Sequence, residues 1–309
     1  MKRREKGHGG FVIKKGSSKI SITHPEGKWS ALSSSSGGYS DTLNEIILTN
    51  KESTSKGFIV GISPNINTAS LVSKIHGLTA VSALAIADPD HPASEEGEGG
   101  NRISIVLMVD ADLPQATMAR AAITATESVT CAFQQLMFGR SDTKEIASGS
   151  DSICIIVLSN AECERRLYNA GKHSKLGELI GKAVTEAVLS SMGKNGATPV
   201  SQADVFKRLE RFGITRTSCK EYLAANSLDP GKEFDASLER ISKDKTMLSY
   251  VSSVLHIADE VSWGLIPQDA GYEVCREIIC AVISKDAPKS DDIITDLVSA
   301  ISMAAIKDE

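Results

Sequence analysis

Long apolar runs are missing from this sequence. No stretch approaches the ~20 apolar residues that a membrane-spanning helix needs, and the charged start at Met1–Lys6 leads into no apolar segment of signal-peptide type. A cytoplasmic protein with no membrane partner is expected. Paired cysteines are missing too. Cys131, Cys154, Cys163, Cys219, Cys275 and Cys280 are scattered without a CxxC spacing, which excludes a paired-cysteine zinc site and suits thiols kept reduced. There is no basic excess: 34 Lys and Arg face 39 Asp and Glu, for a net charge of -5. No nucleic-acid partner held by counterion release is therefore expected. HExxH, GxSxG and GxxxxGK[ST] are absent, and His173 stands where the last would need Ser or Thr. No metal site is read either: Asp110 and Asp112 follow a strand and need not converge on one ion.

What is present is ordinary globular material. The chain has 309 residues, 41% hydrophobic and 24% charged, enough for a sizeable core in one large domain or two. Residues 1–10, with the basic cluster Lys2-Arg3-Arg4, read as a disordered tail. Phe11–Asn67 carries short strand-like runs, among them Trp29–Ser36 and Leu43–Leu48, with Gly37 and Gly38 marking a tight turn between them. Gly57–Ile62 and Leu78–Ala87 follow, separated by a short helix expected over Thr68–Ile75. Asp88–Arg102 mixes Pro, Gly and acid without period and reads as a surface loop able to close over a site.

Ile103–Val109 is a near-continuous apolar run, the mark of a strand buried on both faces. Pro114 opens a helix to about Met137, with an apolar stripe of Met118, Ala122, Ala125, Val129, Phe133 and Leu136. Ser152–Leu158 is a second buried strand, and Ala161–Tyr168 is expected as a short helix. Ser174 is placed to cap a helix reaching Met192 along Leu176, Leu179, Ile180, Ala183 and Ala187. Gly193–Pro199 reads as a linker. Beyond it Ser201–Phe212, Ser218–Ala225, Asp235–Val261, Gly271–Ser284 and Ser290–Lys307 all read as helical. The fold class expected is α/β: a layered mixed-sheet domain with packed helices over residues 11–198, then a smaller all-helical domain over 199–309.

Three polar segments interrupt apolar, small-residue surroundings. In Thr124–Ser128, Glu127 lies opposite the apolar stripe beside Ile123 and Cys131. It is either a surface glutamate or a carboxylate aimed into a cleft as acid or base. Ala147–Ser152 holds hydroxyls and Asp151 ahead of a buried strand, a turn whose amides can bind an anion. In Gly171–Gly181, Lys172 and His173 precede a helix N-terminus, where free N–H groups favour negative charge.

In their order, the Ser33–Gly38 turn, "MVDADLPQATMARAAITATES" (Met108–Ser128), "ASGSD" (Ala147–Asp151) and "AGKHSKLGELIGKAVTEAV" (Ala170–Val188) resemble the adenosylcobinamide amidohydrolase (CbiZ) family. The resemblance runs from about Trp29 to Met192 and leaves the helical tail outside. It implies cleavage of the amide joining aminopropanol, or its phosphate, to the corrin ring of adenosylcobinamide. Adenosylcobyric acid would be released for cobamide salvage, a task found notably in archaea. Cobalt would arrive only within the corrinoid substrate, with no protein-held cofactor. The sequence departs from the family in three places. Ser104 of "NRIS" stands at an asparagine, Ser128 ends the family's TATEA, and "ASGSD" replaces GTGTD.

On this resemblance Glu127 is expected to act as general base for water and His173 to protonate the leaving amine. Asp151 would orient the water, and Ser148, Ser150 and the amides around Gly149 would hold the oxyanion. Lys172 would meet a substrate phosphate, with Thr126, Ser104, Gly37 and Gly38 as further binding residues. Ser150 as a covalent nucleophile is the alternative chemistry. Two other readings compete: a non-catalytic corrinoid-binding paralogue, and an assembly protein using its C-terminal helices as an interface, with homo-oligomers allowed throughout. The corrin is expected to need an open cleft lined by small and apolar residues.

Overall fold

A computed structural model of the chain describes residues 3–6, 11–23, 29–34, 38–40, 45–49, 58–61, 66–87, 103–137, 153–284 and 288–307. They divide into two compact units, with Thr198 ending the first and Pro199 resuming the second. The first unit holds two sheets and two long helices. The second holds helices and no strand among the described residues, so the class is α/β with a helical C-terminal region.

The first sheet joins β1 (Arg3–Lys6), β2 (Val12–Lys15), β3 (Lys19–Thr23), β6 (Glu45–Thr49) and β7 (Phe58–Gly61) in that order. Only β6 and β7 pair in parallel. Arg3–Lys6 is thus a paired edge strand and not part of a disordered tail. Backbone pairing to the open edge of β2 requires no apolar side chains, and charged residues suit an edge. The second sheet has six strands in the order β5-β4-β11-β10-β9-β8, with β4 Trp29–Ser33, β5 Tyr39–Ser40, β8 Ser70–His76, β9 Thr79–Ala87, β10 Ile103–Val109 and β11 Ile153–Asn160. Here β10 and β11 form the parallel pair.

Residues 70–76 are therefore strand and not helix. Their hydrogen bonds go to β9 across a two-residue turn at Gly77, whose φ of +57° suits a tight hairpin. Ala161–Tyr168 forms no helix either. Asp112 N donates to Arg165 O at 3.0 Å and Leu167 N to Asp112 O at 2.9 Å, so this segment extends the strand ends.

Register assigns the faces of the second sheet. Val106 and Met108 of β10, Leu84 and Ile86 of β9, Ile156 and Leu158 of β11 and Trp29 of β4 share one core with Phe11, Ile20 and Ile22 from the first layer of strands. The opposite face, with Ala83, Ala85 and Leu107, receives the helices α1 (Gln115–Leu136) and α2 (Lys175–Lys194). Where α2 packs on β9 the row Ala83, Ala85, Ala87 is fully buried, as are Ala183 and Ala187 of the helix, and such small side chains allow a close approach. Ser191 Oγ accepts from Ala87 N at 2.8 Å and Asn195 Nδ2 donates to Ala87 O at 2.9 Å, so the end of β9 is satisfied by α2. On α1 the buried stripe runs through Met118, Ala121, Ala125, Ser128, Val129 and Ala132, while Ala122 and Phe133 are half-buried. The burial centre is thus turned slightly from the stripe read in the sequence.

The second unit contains α3 (Val205–Leu209), α4 (Arg216–Ala225), α5 (Phe234–Lys243), α6 (Lys245–Ser262), α7 (Gln268–Ile278), which runs on into a π turn at Ile279–Ile283, and α8 (Ile293–Lys307). Phe206, Leu223, Phe234, Leu238, Val254, Ile279, Leu297 and Ile301 share its core. The single helix expected over Asp235–Val261 is two. Asp244, extended at ψ 118°, caps α6 by accepting from Thr246 N at 2.7 Å and Met247 N at 3.0 Å. Among the described residues no helix is long and apolar enough to cross a membrane.

Candidate active site

The site grows from the junction of α1 with the loop before α2. On α1, Arg120, Thr124 and Glu127 follow one another at spacings of four and three, which lines them along one helical face. The loop Asn169–His173 comes to that face because Thr124 Oγ1 donates to Ala170 O at 2.8 Å. Asn169 shapes the loop by accepting from Gly171 N at 2.9 Å through its Oδ1. Ser174 then caps α2 as the sequence indicates: its Oγ accepts from Gly177 N at 3.0 Å and donates to Gly171 O at 2.8 Å.

Gly177 permits this arrangement. A Cβ there would stand 2.0 Å from Gly171 O and 2.8 Å from Ala170 O. Both clashing atoms are backbone, so no rotamer relieves the contact. Gly177→Ala is expected to destabilise the first unit by about 1–3 kcal/mol, the usual range for overpacking, and to push the loop off Thr124. Urea denaturation would give the stability loss, and faster amide hydrogen exchange over Gly171–His173 the loss of loop position. A variant as stable as wild type would show that the close approach is unimportant.

Together these elements enclose a hollow of ≈ 220 Å³ lined by Arg120, Thr124, Glu127, Asn169, Gly171, Lys172 and His173. Arg120, Glu127, Lys172 and His173 are all exposed, and none makes an ion pair or side-chain hydrogen bond among the described residues. Charges nearby on α2 behave otherwise. Glu178 is bonded by Lys175 and Lys182, each at 2.6 Å. The hydrogen bond from Lys175, then that from Lys182, and both charges hold its carboxyl down to about 2. The hollow thus gathers four charged or titratable side chains that are not spent on one another.

The site residues read from sequence scatter in part. Glu127, Lys172 and His173 meet at the hollow. Thr126 is on α1 but turns its hydroxyl back to Ala122 O at 3.0 Å and does not line it. Ser104 sits on the face of β10 shared with Val106 and Met108, away from the helices, buried and with no hydrogen-bond partner for its hydroxyl among the described residues. Side chains alternate across a strand, so its neighbours in the register decide this. Gly38, at φ +59°, accepts from Ser33 N at 2.9 Å in the turn after β4. That turn neighbours the start of β11, whereas the loop bearing Lys172 and His173 follows its end. Gly37, Ser148, Gly149, Ser150 and Asp151 lie outside the described residues, as does Asp88–Arg102.

Arg120, Thr124 and Asn169 were not singled out by sequence reasoning. The 120–124–127 spacing was the available signal for the first two. No such pattern marks Asn169, which is recruited by loop geometry. Asp110 and Asp112 are engaged elsewhere, Asp110 by Asn160 Nδ2 at 3.0 Å and Asp112 by Arg166 at 3.1 Å. The hollow is polar and smaller than the ~300–1,000 Å³ of drug-sized pockets. It can take one arm of a large ligand but no macrocycle, and so differs from the apolar cleft expected. Exposed Ile123, on α1 between Arg120 and Glu127, and exposed Tyr168, next to Asn169, provide apolar surface close by in the chain.

The comparisons with known proteins cover the segment that carries the hollow. Residues 76–199 match the sequence profile of adenosylcobinamide amidohydrolase. A 95-residue stretch is 35% identical to an uncharacterised protein of Methanocaldococcus jannaschii, covering 30% of this chain and 36% of that protein. The shared stretch is thus only about a third of that relative's length.

Proposed function

We propose, from the match of residues 76–199 to the adenosylcobinamide amidohydrolase family, that the chain hydrolyses the amide between the corrin ring and its aminopropanol arm in adenosylcobinamide. The products are adenosylcobyric acid and the free amino alcohol. One observation carries this reading: a carboxylate and an imidazole, Glu127 and His173, line one hollow with no competing partner among the described residues. Amide hydrolysis asks for a base to activate water, donors for the tetrahedral oxyanion and an acid for the departing amine.

In this mechanism Glu127 takes a proton from water as the water oxygen bonds to the amide carbon. The carbonyl electrons move to oxygen, and the Nδ2 of Asn169 donates to that oxyanion. Asn169 Oδ1 is already occupied by Gly171 N, which leaves Nδ2 as the amide's donor end. The C–N bond then breaks, and His173, as imidazolium, gives the leaving nitrogen its proton. The ring stays outside the hollow, against surface such as Ile123 and Tyr168, while the arm enters. Cobalt is present only as part of the substrate.

The test is incubation of the full chain with adenosylcobinamide and measurement of released 1-amino-2-propanol. Release at a rate proportional to protein supports the proposal. Spectral evidence of corrinoid binding without release would reduce the protein to a corrinoid binder, and neither signal would refute both.

A further inference from the structure

We infer that Arg120 is a specificity residue that recognises a phosphoryl group on the leaving arm, so that the phosphorylated substrate is preferred over the unphosphorylated one. The inference takes the identity of the substrate from the hydrolytic reading above, but the anion subsite stands on its own observations. The chain as a whole is acidic, at -5, yet the hollow presents two cations, Arg120 and Lys172, against one carboxylate, Glu127. Neither cation is neutralised among the described residues, whereas the neighbouring Lys175 and Lys182 share Glu178. A surplus of unpaired positive charge at one hollow of an acidic chain favours an anionic ligand group.

Placement separates this subsite from the reacting atoms. Arg120 and Glu127 are two turns apart on α1, about 10 Å at 1.5 Å per residue. The flexible lengths of both side chains narrow that gap to a few bonds of ligand. An amide carbonyl held near Glu127 and His173 would project its amine substituent towards Arg120. A phosphate two carbons beyond the amide nitrogen would meet a guanidinium, whose planar fork suits phosphate oxygens. A hydroxyl at the same position would leave the cation without a counter-charge. Lys172, on the opposing loop, adds a second, less directional contact. No covalent step occurs at this subsite.

Two measurements on the full chain test the inference. Hydrolysis of phosphorylated and unphosphorylated adenosylcobinamide gives the ratio of the two kcat/KM values. That ratio should exceed one in wild type and fall about 10- to 100-fold in Arg120→Gln, the usual effect of losing a charge-assisted hydrogen bond, with Arg120→Lys intermediate. A wild-type ratio at or below one, or a ratio unaltered by Arg120→Gln, would overturn the inference. The second measurement titrates the protein at low salt with the phosphate ester of 1-amino-2-propanol and with inorganic phosphate. Both should bind wild type and weaken in Arg120→Gln and Lys172→Gln. This arm needs no turnover. If neither corrinoid is hydrolysed, the hydrolytic reading falls, while phosphate binding weakened by Arg120→Gln still upholds the anion subsite. Equal affinity in wild type and Arg120→Gln removes it. Weakening of inorganic phosphate without weakening of the ester would likewise count against an arm-recognition role.

Discussion

Glu127→Gln and His173→Ala are each expected to lower release of the amino alcohol by at least ~100-fold, and up to ~10⁴-fold, the span typical of general acid–base catalysis. In barrier height this is about 2.7–5.5 kcal/mol at 1.36 kcal/mol per tenfold. Glu127→Gln preserves size and hydrogen bonding and removes only the proton acceptor. His173→Ala removes the proton donor without touching the cap, because Ser174 and Gly171 hold the loop through their own hydrogen bonds. Both side chains are exposed, so fold and stability should be retained, and denaturation midpoints provide the control. The double variant should be scarcely slower than the worse single one, since the two groups act in one proton-transfer sequence. Near-normal rates in both folded single variants would exclude Glu127 and His173 from the chemistry.

Asp259→Ala is expected to destabilise the helical unit by about 3–5 kcal/mol, the usual consequence of removing one partner from a buried ion pair. Asp259 of α6 accepts from Arg211 at 2.6 Å, with side chains 9% and 6% exposed. The Arg211 guanidinium also lies 4.2 Å over the ring of Phe212. Arg208 is close enough to register the same charge: burial, and then Arg211, pull it below the ordinary arginine value. Without Asp259, Arg211 would stay buried beside another cation and lose this 2.6 Å contact to a carboxylate. Urea denaturation followed by helical circular dichroism would measure the loss. Replacing both partners, Arg211→Met with Asp259→Leu, should recover most of it, because the desolvation penalty disappears with the charges. A single variant as stable as wild type would show that the pair contributes little.

Much of the first unit was readable from local pattern. Ile103–Val109 and the stripe Leu176, Leu179, Ile180, Ala183, Ala187 appear where their periods put them, because burial imposes period on a chain segment whatever its neighbours. The Ser174 cap was equally readable, since capping is settled within four residues. Other segments depended on partners distant in sequence. Residues 70–76 contain enough apolar and small residues for either state, and pairing with β9 selected strand. Asp244 split a continuous helical pattern because its side chain was better used on the amides of Thr246 and Met247 than in a helix interior.

The candidate site divides along the same line. Glu127, Lys172 and His173 were visible in the amino-acid order as polar residues set in apolar, small-residue surroundings, and helical spacing alone could have added Arg120 and Thr124. That order also determined the layered class, the buried strands and the capped helix, since period, capping and composition act within a few residues. Only the tertiary structure decided that Asn169 joins the hollow and that Ser104 faces the other layer. Those outcomes rest on a loop seated against Gly177 and on which side of the sheet the first layer of strands covers, contacts between residues far apart in the chain that no local pattern encodes.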